Sequence, residues 1–153
     1  MKKTEKQNTG KLKIIPLGGL EQIGMNITAF PKEYISELSV LQQSLRVVQA
    51  GVTLAEVKGK DLIPNHALAM STVQVSDAFP REEISYEQAI AYLRKEAIVL
   101  SGTTPRGYVL LTYKDVPLGF VKNIGNRANN LYPQARRIRS GYLPDEILML
   151  LKS

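Results

Sequence analysis

The amino-acid sequence predicts an α+β protein, with a helical first half followed by a small β-barrel or curled sheet. Two stretches with helical spacing of apolar residues lie before residue 96, and three short extended stretches follow. The extended stretches are closely spaced and separated by turn-forming residues, as in small barrels. The 153 residues suffice for one compact domain or two small ones, each with an apolar core.

In the first half, residues 1–10 are polar and are predicted to be frayed. Residues 11–30 predict a short strand, a turn at Gly18 and Gly19, and a second apolar stretch that ends at Phe30. A helix is predicted over residues 32–45, because apolar residues recur at spacings of four, three and four and so share one buried face. These residues are Tyr34, Leu38, Leu41 and Leu45.

The middle of the chain predicts short elements joined by turns. The pattern indicates strands at 46–48 and 54–57, a turn at 58–61, and a short helix at 64–70 that Pro64 opens. Residues 73–81 are typical of a loop. Ser85 and Gln88 have the spacing of a capping box, which predicts a helix over 86–95 with Ile90 and Leu93 towards the core.

The last part of the chain predicts three strands, a turn and a terminal helix. The strands are expected at 98–100, 108–113 and 117–121, with a turn at 114–116 between the second and the third. Asp145 is placed to complement the N-terminal dipole of a helix over 145–151.

Composition excludes several classes of function. The chain is 44% apolar and 22% charged, which is usual for a soluble globular protein. No apolar run approaches the roughly 20 residues that span a bilayer, and the basic start is not followed by the apolar stretch of a secretion signal. The absence of cysteine excludes disulfides, thiolate metal sites and a cysteine nucleophile within these residues. We therefore expect a cytoplasmic protein with no membrane partner, no metal and no cofactor.

The charge distribution favours a polyanionic partner. The formal net charge is +6, and residues 101–153 carry eight basic and three acidic side chains. A basic surplus concentrated in one folded region is typical of nucleic-acid binding. The alternative is a solvated basic face that serves only solubility.

Residues 122–139 are the strongest candidate for a binding site. This segment has five basic residues and no acidic one, and asparagines and a tyrosine lie between them. Phosphate binding needs fixed positive charge and amide donors, and an aromatic ring can stack on a base. Asparagine and glycine also suit tight turns, so a structural role is the alternative. The predicted RNA-binding residues are Lys122, Arg127, Asn129, Asn130, Tyr132, Arg136, Arg137 and Arg139, together with Lys58 and Lys60 of the glycine turn.

Other candidates have simpler explanations. His66 is the only histidine and makes a poor metal site by itself, so it is structural or contacts RNA. The glycine-rich residues 17–24 lack the spacing of a nucleotide-binding loop. Glu82, Glu83 and Glu87 lie at a helix start, where acidic residues complement the dipole. No catalytic residue is predicted.

Several blocks of the sequence resemble a family of RNA-modifying enzymes. Residues 30–142 resemble the C-terminal region of the Sun/Nop-type RNA cytosine-5 methyltransferases, in particular the bacterial ribosomal-RNA enzymes. The matching blocks are residues 45–52, 55–69, 92–97, 107–111, 117–122 and 129–133. This resemblance implies a linker-like α/β subdomain over 31–96 and a PUA-like RNA-binding pseudo-barrel over 97–153.

The resemblance also implies what this chain lacks. The family's catalytic domain carries S-adenosylmethionine and two cysteines, one of them the nucleophile. These residues contain no cysteine and no cofactor-binding Rossmann unit, so we expect no methyltransferase activity from them alone. The partners that the resemblance implies are ribosomal RNA and a methyltransferase catalytic domain.

Residues 10–30 resemble the opening strands of the metallo-β-lactamase domain of ribonuclease J. Residues 1–30 are therefore interpreted as an N-terminal extension, which is native, the product of a fusion, or the artificial result of a misjoined gene. The family's histidine–aspartate metal motif is missing, and nuclease activity is not expected.

Two functions remain open from the sequence. The first is a non-catalytic RNA-binding region that positions ribosomal RNA for methylation. The second is a protein-interaction module that docks onto a catalytic domain or an acidic partner through the same basic face.

Overall fold

The chain is α+β and divides into two compact units, residues 1–78 and 79–153. The structure, a computed structural model, describes residues 12–17, 25–71 and 78–140. The predicted helix at 145–151, the polar residues 1–10 and the turn at Gly18 and Gly19 lie outside the described residues. No helix within the described residues has both the length and the apolar character that a bilayer crossing requires.

The first unit contains a four-stranded antiparallel sheet. Its strands are β1 (Leu12–Leu17), β2 (Met25–Pro31), β3 (Val52–Lys58) and β4 (Asp61–Pro64), in the order β1-β2-β3-β4. β2 pairs with both β1 and β3, so residues 12–17 and 25–31 share a sheet with the following segment. The first half was expected to be helical, whereas its described residues combine these four strands with two α-helices.

Helix α1 (Ile35–Ser44) follows a 3-10 turn over Lys32–Tyr34, which confirms the helix predicted at 32–45. Its predicted buried face is wrong for three of the four residues. Leu38 is buried, but Tyr34, Leu41 and Leu45 are exposed. Spacing alone therefore identified the helix but not the extent of its burial.

The segment after α1 differs from its prediction. Residues 46–50 are irregular, so the strand predicted at 46–48 is wrong. Gly51 then turns the chain into β3 with φ +76°, where a Cβ would lie 2.1 Å from the carbonyl oxygen of Ala29. A side chain at this position would collide with the backbone of β2, so the turn requires glycine.

A short helix, α2 (His66–Ala69), begins after β4. Pro64 ends the strand rather than opening the helix. The side chain of Asn65 caps α2 by accepting a hydrogen bond from the N–H of Ala67 at 2.9 Å. The start of the predicted helix is therefore shifted, because asparagine supplies the acceptor that a helix N-terminus needs.

The second unit contains the second sheet, in the order β5-β6-β7-β8. Its strands are β5 (Arg81–Glu83), β6 (Gly107–Tyr113), β7 (Val116–Asn123) and β8 (Ala128–Asn130). The strands predicted at 108–113 and 117–121 are confirmed. The turn between them has positive φ at both Lys114 and Asp115, which suits the right-handed twist of a two-residue hairpin.

Two predictions in this unit need correction. The predicted strand at 98–100 is reduced to one bridge between Ile98 and Ala128. Residues 81–83, assigned to a loop, form β5, which pairs in parallel with β6. β5 consists of three charged residues, so it lacks the alternation of apolar and polar residues that predicts a strand. It can be recognised only from its pairing with β6. The described strands form an open sheet, so the predicted barrel is not closed within residues 78–140.

Helix α3 (Tyr86–Leu93) covers one face of the second sheet. The capping box is confirmed, because Ser85 and Gln88 each accept a hydrogen bond from the other's backbone N–H. Leu93 packs against the core as predicted, but the fully buried helix residues are Ala89 and Tyr92. The other buried members of this core are Ile84, Ile98, Val109, Leu111, Val121 and Ala128. Because α3 packs on this sheet, it lies in the second unit. The predicted subdomain over 31–96 and the RNA-binding domain over 97–153 stay predictions.

Candidate nucleic-acid interface

The C-terminus of α3 organises the candidate site. The chain leaves the helix through Lys95, whose φ is +64°. The N–H groups of Lys95 and Glu96 donate to the carbonyls of Tyr92 and Ala91, both at 2.9 Å. This pattern is a Schellman motif, in which the left-handed position is usually glycine. A lysine there is unfavourable by itself and must be compensated by other contacts.

The last residue of β8, Asn130, supplies two of those compensating contacts. The amide of Asn130 donates to the carbonyls of Tyr92 and Glu96, at 2.9 Å and 3.0 Å. Its side-chain oxygen accepts from the N–H of Tyr132 at 2.9 Å. The predicted RNA-binding residue Asn130 is thus engaged in holding β8 and the following turn against the end of α3.

Further contacts fix the segment after β8. The ammonium of Lys95 donates to the carbonyl of Tyr132, and the ring of Tyr132 packs edge-on against Tyr92 with centroids 5.3 Å apart. The N–H of Ile138 donates to the carbonyl of Leu93 at 2.9 Å. As a result, the carbonyls of the last turn of α3 receive their donors from backbone and asparagine groups, not from arginine side chains.

Two open grooves border this helix end, and they share Glu96. The first has a volume of about 340 Å³ and is lined by Arg94, Glu96, Arg137, Ile138, Arg139 and Ser140. The second has a volume of about 380 Å³ and is lined by Lys95, Glu96, Ala97, Arg127, Ala128, Asn129 and Asn130. Five basic residues therefore surround one acidic residue.

The arginines of the first groove, Arg94, Arg137 and Arg139, form no ion pair within residues 12–17, 25–71 and 78–140, the described part of the chain. Arg137 and Arg139 are exposed, while Arg94 is half-buried. Guanidinium groups in this state can bind phosphate oxygens with paired hydrogen bonds.

A second set of side chains lies on the face of the sheet opposite α3. Lys122 on β7 stands opposite Tyr108 on β6 and Asn129 on β8, so the three residues form a row across the sheet. The ammonium of Lys122 is 5.4 Å from the centroid of the Tyr108 ring, a cation–π contact. Asn129 also lines the second groove, so the row and this groove share one residue.

The structure separates the predicted residues into groups. It brings together Arg127, Asn129, Arg137 and Arg139 with the end of α3, and Lys122 with Asn129. Arg136 is exposed in a 3-10 turn over Gln134–Arg136. Asn130 and Tyr132 take part in internal contacts.

Lys58 and Lys60 lie in the first unit, at the turn between β3 and β4. The ammonium of Lys58 is 3.5 Å from the carboxylate of Glu56. Both lysines are exposed, as a binding role requires, and their predicted contact with RNA stays a prediction.

Sequence reasoning missed four residues of the site: Arg94, Lys95, Glu96 and Tyr108. The first three directly follow the last turn of an amphipathic helix, a signal that could have drawn attention to them. Tyr108 begins an apolar run whose next four residues are all buried, so neither burial nor hydropathy in the sequence could have separated it from the core.

The acidic residues before α3 have another role than the one predicted. The Glu82 carboxylate accepts from the N–H of Ser101 at 2.9 Å and from the Thr104 hydroxyl. The Glu83 carboxylate accepts from the Thr112 hydroxyl at 2.6 Å, a contact that lowers the pKa of Glu83. These carboxylates fasten loops to the sheet, so helix-start electrostatics is an incomplete explanation. No group of acidic and histidine side chains within the described residues could hold a metal ion.

Comparison with known proteins bears on this region. Residues 79–138 match the family described as methyltransferase RsmF PUA domain. The chain is 33% identical over 91 residues to a ribosomal RNA small subunit methyltransferase F of Shewanella loihica, across 59% of this chain and 18% of that protein. It is 29% identical over 99 residues to the Klebsiella pneumoniae protein of the same name, across 65% and 20% of the two chains.

The chain spans about a fifth of the length of these curated relatives. The matched residues 79–138 begin at the first residue of the second unit and include α3, all four strands of its sheet and both grooves except Arg139 and Ser140. The ribonuclease J resemblance of residues 10–30 stays a prediction. The resemblance to the PUA-like region of ribosomal RNA methyltransferases, predicted from the sequence, is confirmed.

Proposed function

We propose that this chain is a non-catalytic RNA-binding region of a ribosomal RNA cytosine-5 methyltransferase. Its PUA-like second unit holds ribosomal RNA, and a separate catalytic domain reaches the target cytosine. The observation that carries the proposal is the cluster of Arg94, Lys95, Arg127, Arg137 and Arg139 at the end of α3, in and beside the residues that match the RsmF PUA domain.

The arrangement suits binding rather than chemistry. Guanidinium, ammonium and amide groups position a nucleic-acid backbone, and Tyr108 adds an aromatic ring next to them. The chain contains no cysteine, the nucleophile that the resemblance assigns to the methyltransferase domain. We therefore place cofactor binding and methyl transfer in another domain, and we place the protein in the cytoplasm with its ribosomal RNA.

A titration at two or more salt concentrations tests this proposal. The full chain is titrated with a fluorescently labelled fragment of small-subunit ribosomal RNA. If about six phosphates are neutralised, the logarithm of the affinity should fall with the logarithm of salt at a slope of roughly −4 to −5. Binding that is absent, or that does not depend on salt, contradicts the proposal.

A double charge reversal tests the location of the site. Arg136→Glu with Arg137→Glu should weaken RNA binding by roughly tenfold or more without unfolding the chain. The matched control is Lys32→Glu with Arg81→Glu, two exposed residues outside both grooves. An equal loss in both double variants would indicate a nonspecific effect of net charge and would remove residues 136 and 137 from the site.

One observation favours a second candidate function, a protein-interaction module. Val40, Leu41, Leu45 and Val48 are exposed at 62%, 48%, 63% and 91% on and after α1. An exposed apolar surface can bind another protein domain. Under this alternative, the RNA titration gives no salt-sensitive binding, whereas Leu41→Ser with Leu45→Ser abolishes association with a separately expressed methyltransferase catalytic domain.

A further inference from the structure

We infer that Arg94, Arg137 and Arg139 form a subsite for one backbone phosphate of the bound RNA. This inference rests on the proposed function and specifies which residues make a direct phosphate contact. Arg94 is outside the basic segment 122–139, so its part in the site follows from the structure rather than from the sequence.

The first argument is the way in which the groove is built. The hydrogen bond from the Ile138 N–H to the Leu93 carbonyl fixes the chain against the end of α3. Residues 137–140 have no regular structure, and Arg137 has an extended conformation, with φ −61° and ψ 141°. Burial alternates here, with Ile138 half-buried and Arg137 and Arg139 exposed. The two arginines therefore lie on the outer side of a segment whose position is fixed by backbone contacts.

The second argument is the state of Arg94. Its Nε is buried and has no hydrogen-bond acceptor among residues 12–17, 25–71 and 78–140. A buried N–H donor without an acceptor is unfavourable, and a guanidinium offers its Nε–H and one terminal N–H side by side. Arg94 therefore has unused donor capacity in a groove that its side chain lines, and a phosphate oxygen bound there would supply an acceptor for its guanidinium.

The third argument is charge. Three guanidinium groups line the groove together with one carboxylate, that of Glu96, so the groove has a surplus of positive charge. The carbonyls at the end of α3 are already bonded by other donors, and so the arginines are not required to cap the helix. A phosphodiester, with two unesterified oxygens and one negative charge, matches these donors.

The decisive variant is Arg94→Gln, compared with Arg81→Gln as the matched control. Arg81 is an exposed residue of β5 that does not line the groove. For Arg94→Gln we expect binding of the ribosomal RNA fragment to weaken by roughly tenfold and the salt slope to become shallower by about 0.7 to 0.9, the value for one phosphate. Arg81→Gln should leave both the affinity and the slope close to those of the wild type.

Two further variants separate a phosphate contact from a structural role. Arg94→Lys keeps the charge but loses the paired donors, so it should weaken binding several-fold while the slope stays at the wild-type value. Glu96→Gln removes the negative charge from the groove and should tighten binding. Melting temperatures of all variants show whether the fold is kept, and a binding loss in Arg94→Gln with an unchanged slope and a lowered melting temperature overturns the subsite.

The outcomes distinguish this inference from the proposed function. If the wild type binds RNA with the expected salt dependence but Arg94→Gln behaves like Arg81→Gln, the subsite is wrong and the proposed function stands. If the wild type shows no salt-dependent RNA binding, the proposed function fails first. A third arm uses inorganic phosphate alone: if millimolar phosphate raises the melting temperature of the wild type but not of Arg94→Gln, while the two proteins bind the RNA fragment equally, the groove is a free-anion site and the assignment to RNA is overturned.

Discussion

Replacing Asn130 by alanine should destabilise the second unit, whereas the same change at Asn129 should not. Asn130 makes three side-chain hydrogen bonds, to the carbonyls of Tyr92 and Glu96 and from the N–H of Tyr132. A hydrogen bond contributes about 0.5–1.5 kcal/mol, and the Tyr92 carbonyl keeps a second donor. We therefore expect a loss of about 2–3 kcal/mol for Asn130→Ala. Asn129 is exposed, and its replacement should change stability by less than about 0.5 kcal/mol.

Urea denaturation of the full chain, followed by circular dichroism, measures both changes. For a unit of this size, a loss of 2–3 kcal/mol corresponds to a decrease in melting temperature of about 10 °C or more. RNA titrations at low temperature, where both variants are folded, complete the comparison, and Asn129→Ala should then show the larger loss of affinity. Equal stabilities for the two variants would refute the structural role assigned to Asn130 and return it to the RNA-binding set.

Three other predictions concern stability and use urea or thermal denaturation. Gly51→Ala should lower the free energy of unfolding by more than about 2 kcal/mol, because the new Cβ would lie 2.1 Å from a backbone oxygen. Gly59→Ala is also at positive φ but in open space, so it should lower the free energy of unfolding by only about 1 kcal/mol. Similar losses for the two variants would contradict this reasoning. Ser85→Ala should lose about 1 kcal/mol through the broken capping box, and Ser85→Asp should restore most of it. The hydrogen bond from the Thr112 hydroxyl lowers the pKa of Glu83 below its ordinary 4.5. The ionised Glu83 carboxylate therefore contributes its full stabilisation of the folded state above pH 4.5, and this contribution is lost as the pH falls through the lowered pKa. Glu83→Gln should therefore have a flatter dependence of melting temperature on pH below 5, and an unchanged dependence would show that the contact does not matter.

Elements whose signals are local could be predicted from the sequence. The capping box at Ser85 is contained within four residues, and the apolar runs of β6 and β7 are long enough to indicate strands. The turn predicted at 114–116 follows from the short distance in sequence between two strand-like stretches, and the structure narrows it to Lys114 and Asp115. These predictions succeeded because neither tertiary contacts nor burial had to be known.

Features that depend on a distant partner could not be predicted. The three residues of β5 form a strand only because they pair with β6. Ile98 forms a single bridge, to Ala128 of β8, rather than a longer strand. In the candidate site, composition pointed to Arg137 and Arg139, which line the first groove, but could not distinguish Asn129 from Asn130. The two asparagines are adjacent and chemically identical, and only the position of the helix end separates an exposed amide from a bonded one.

The completion of α3 by residues far along the chain has a consequence for biosynthesis. The donors that close its last turn include the Asn130 amide and the Ile138 N–H, which are translated some forty residues after the helix. While the polypeptide is growing, the helix emerges with these carbonyls still facing water. The second unit therefore reaches its final stability only after Ile138 has left the ribosome, and a nascent chain arrested before that residue should remain sensitive to protease at the end of α3.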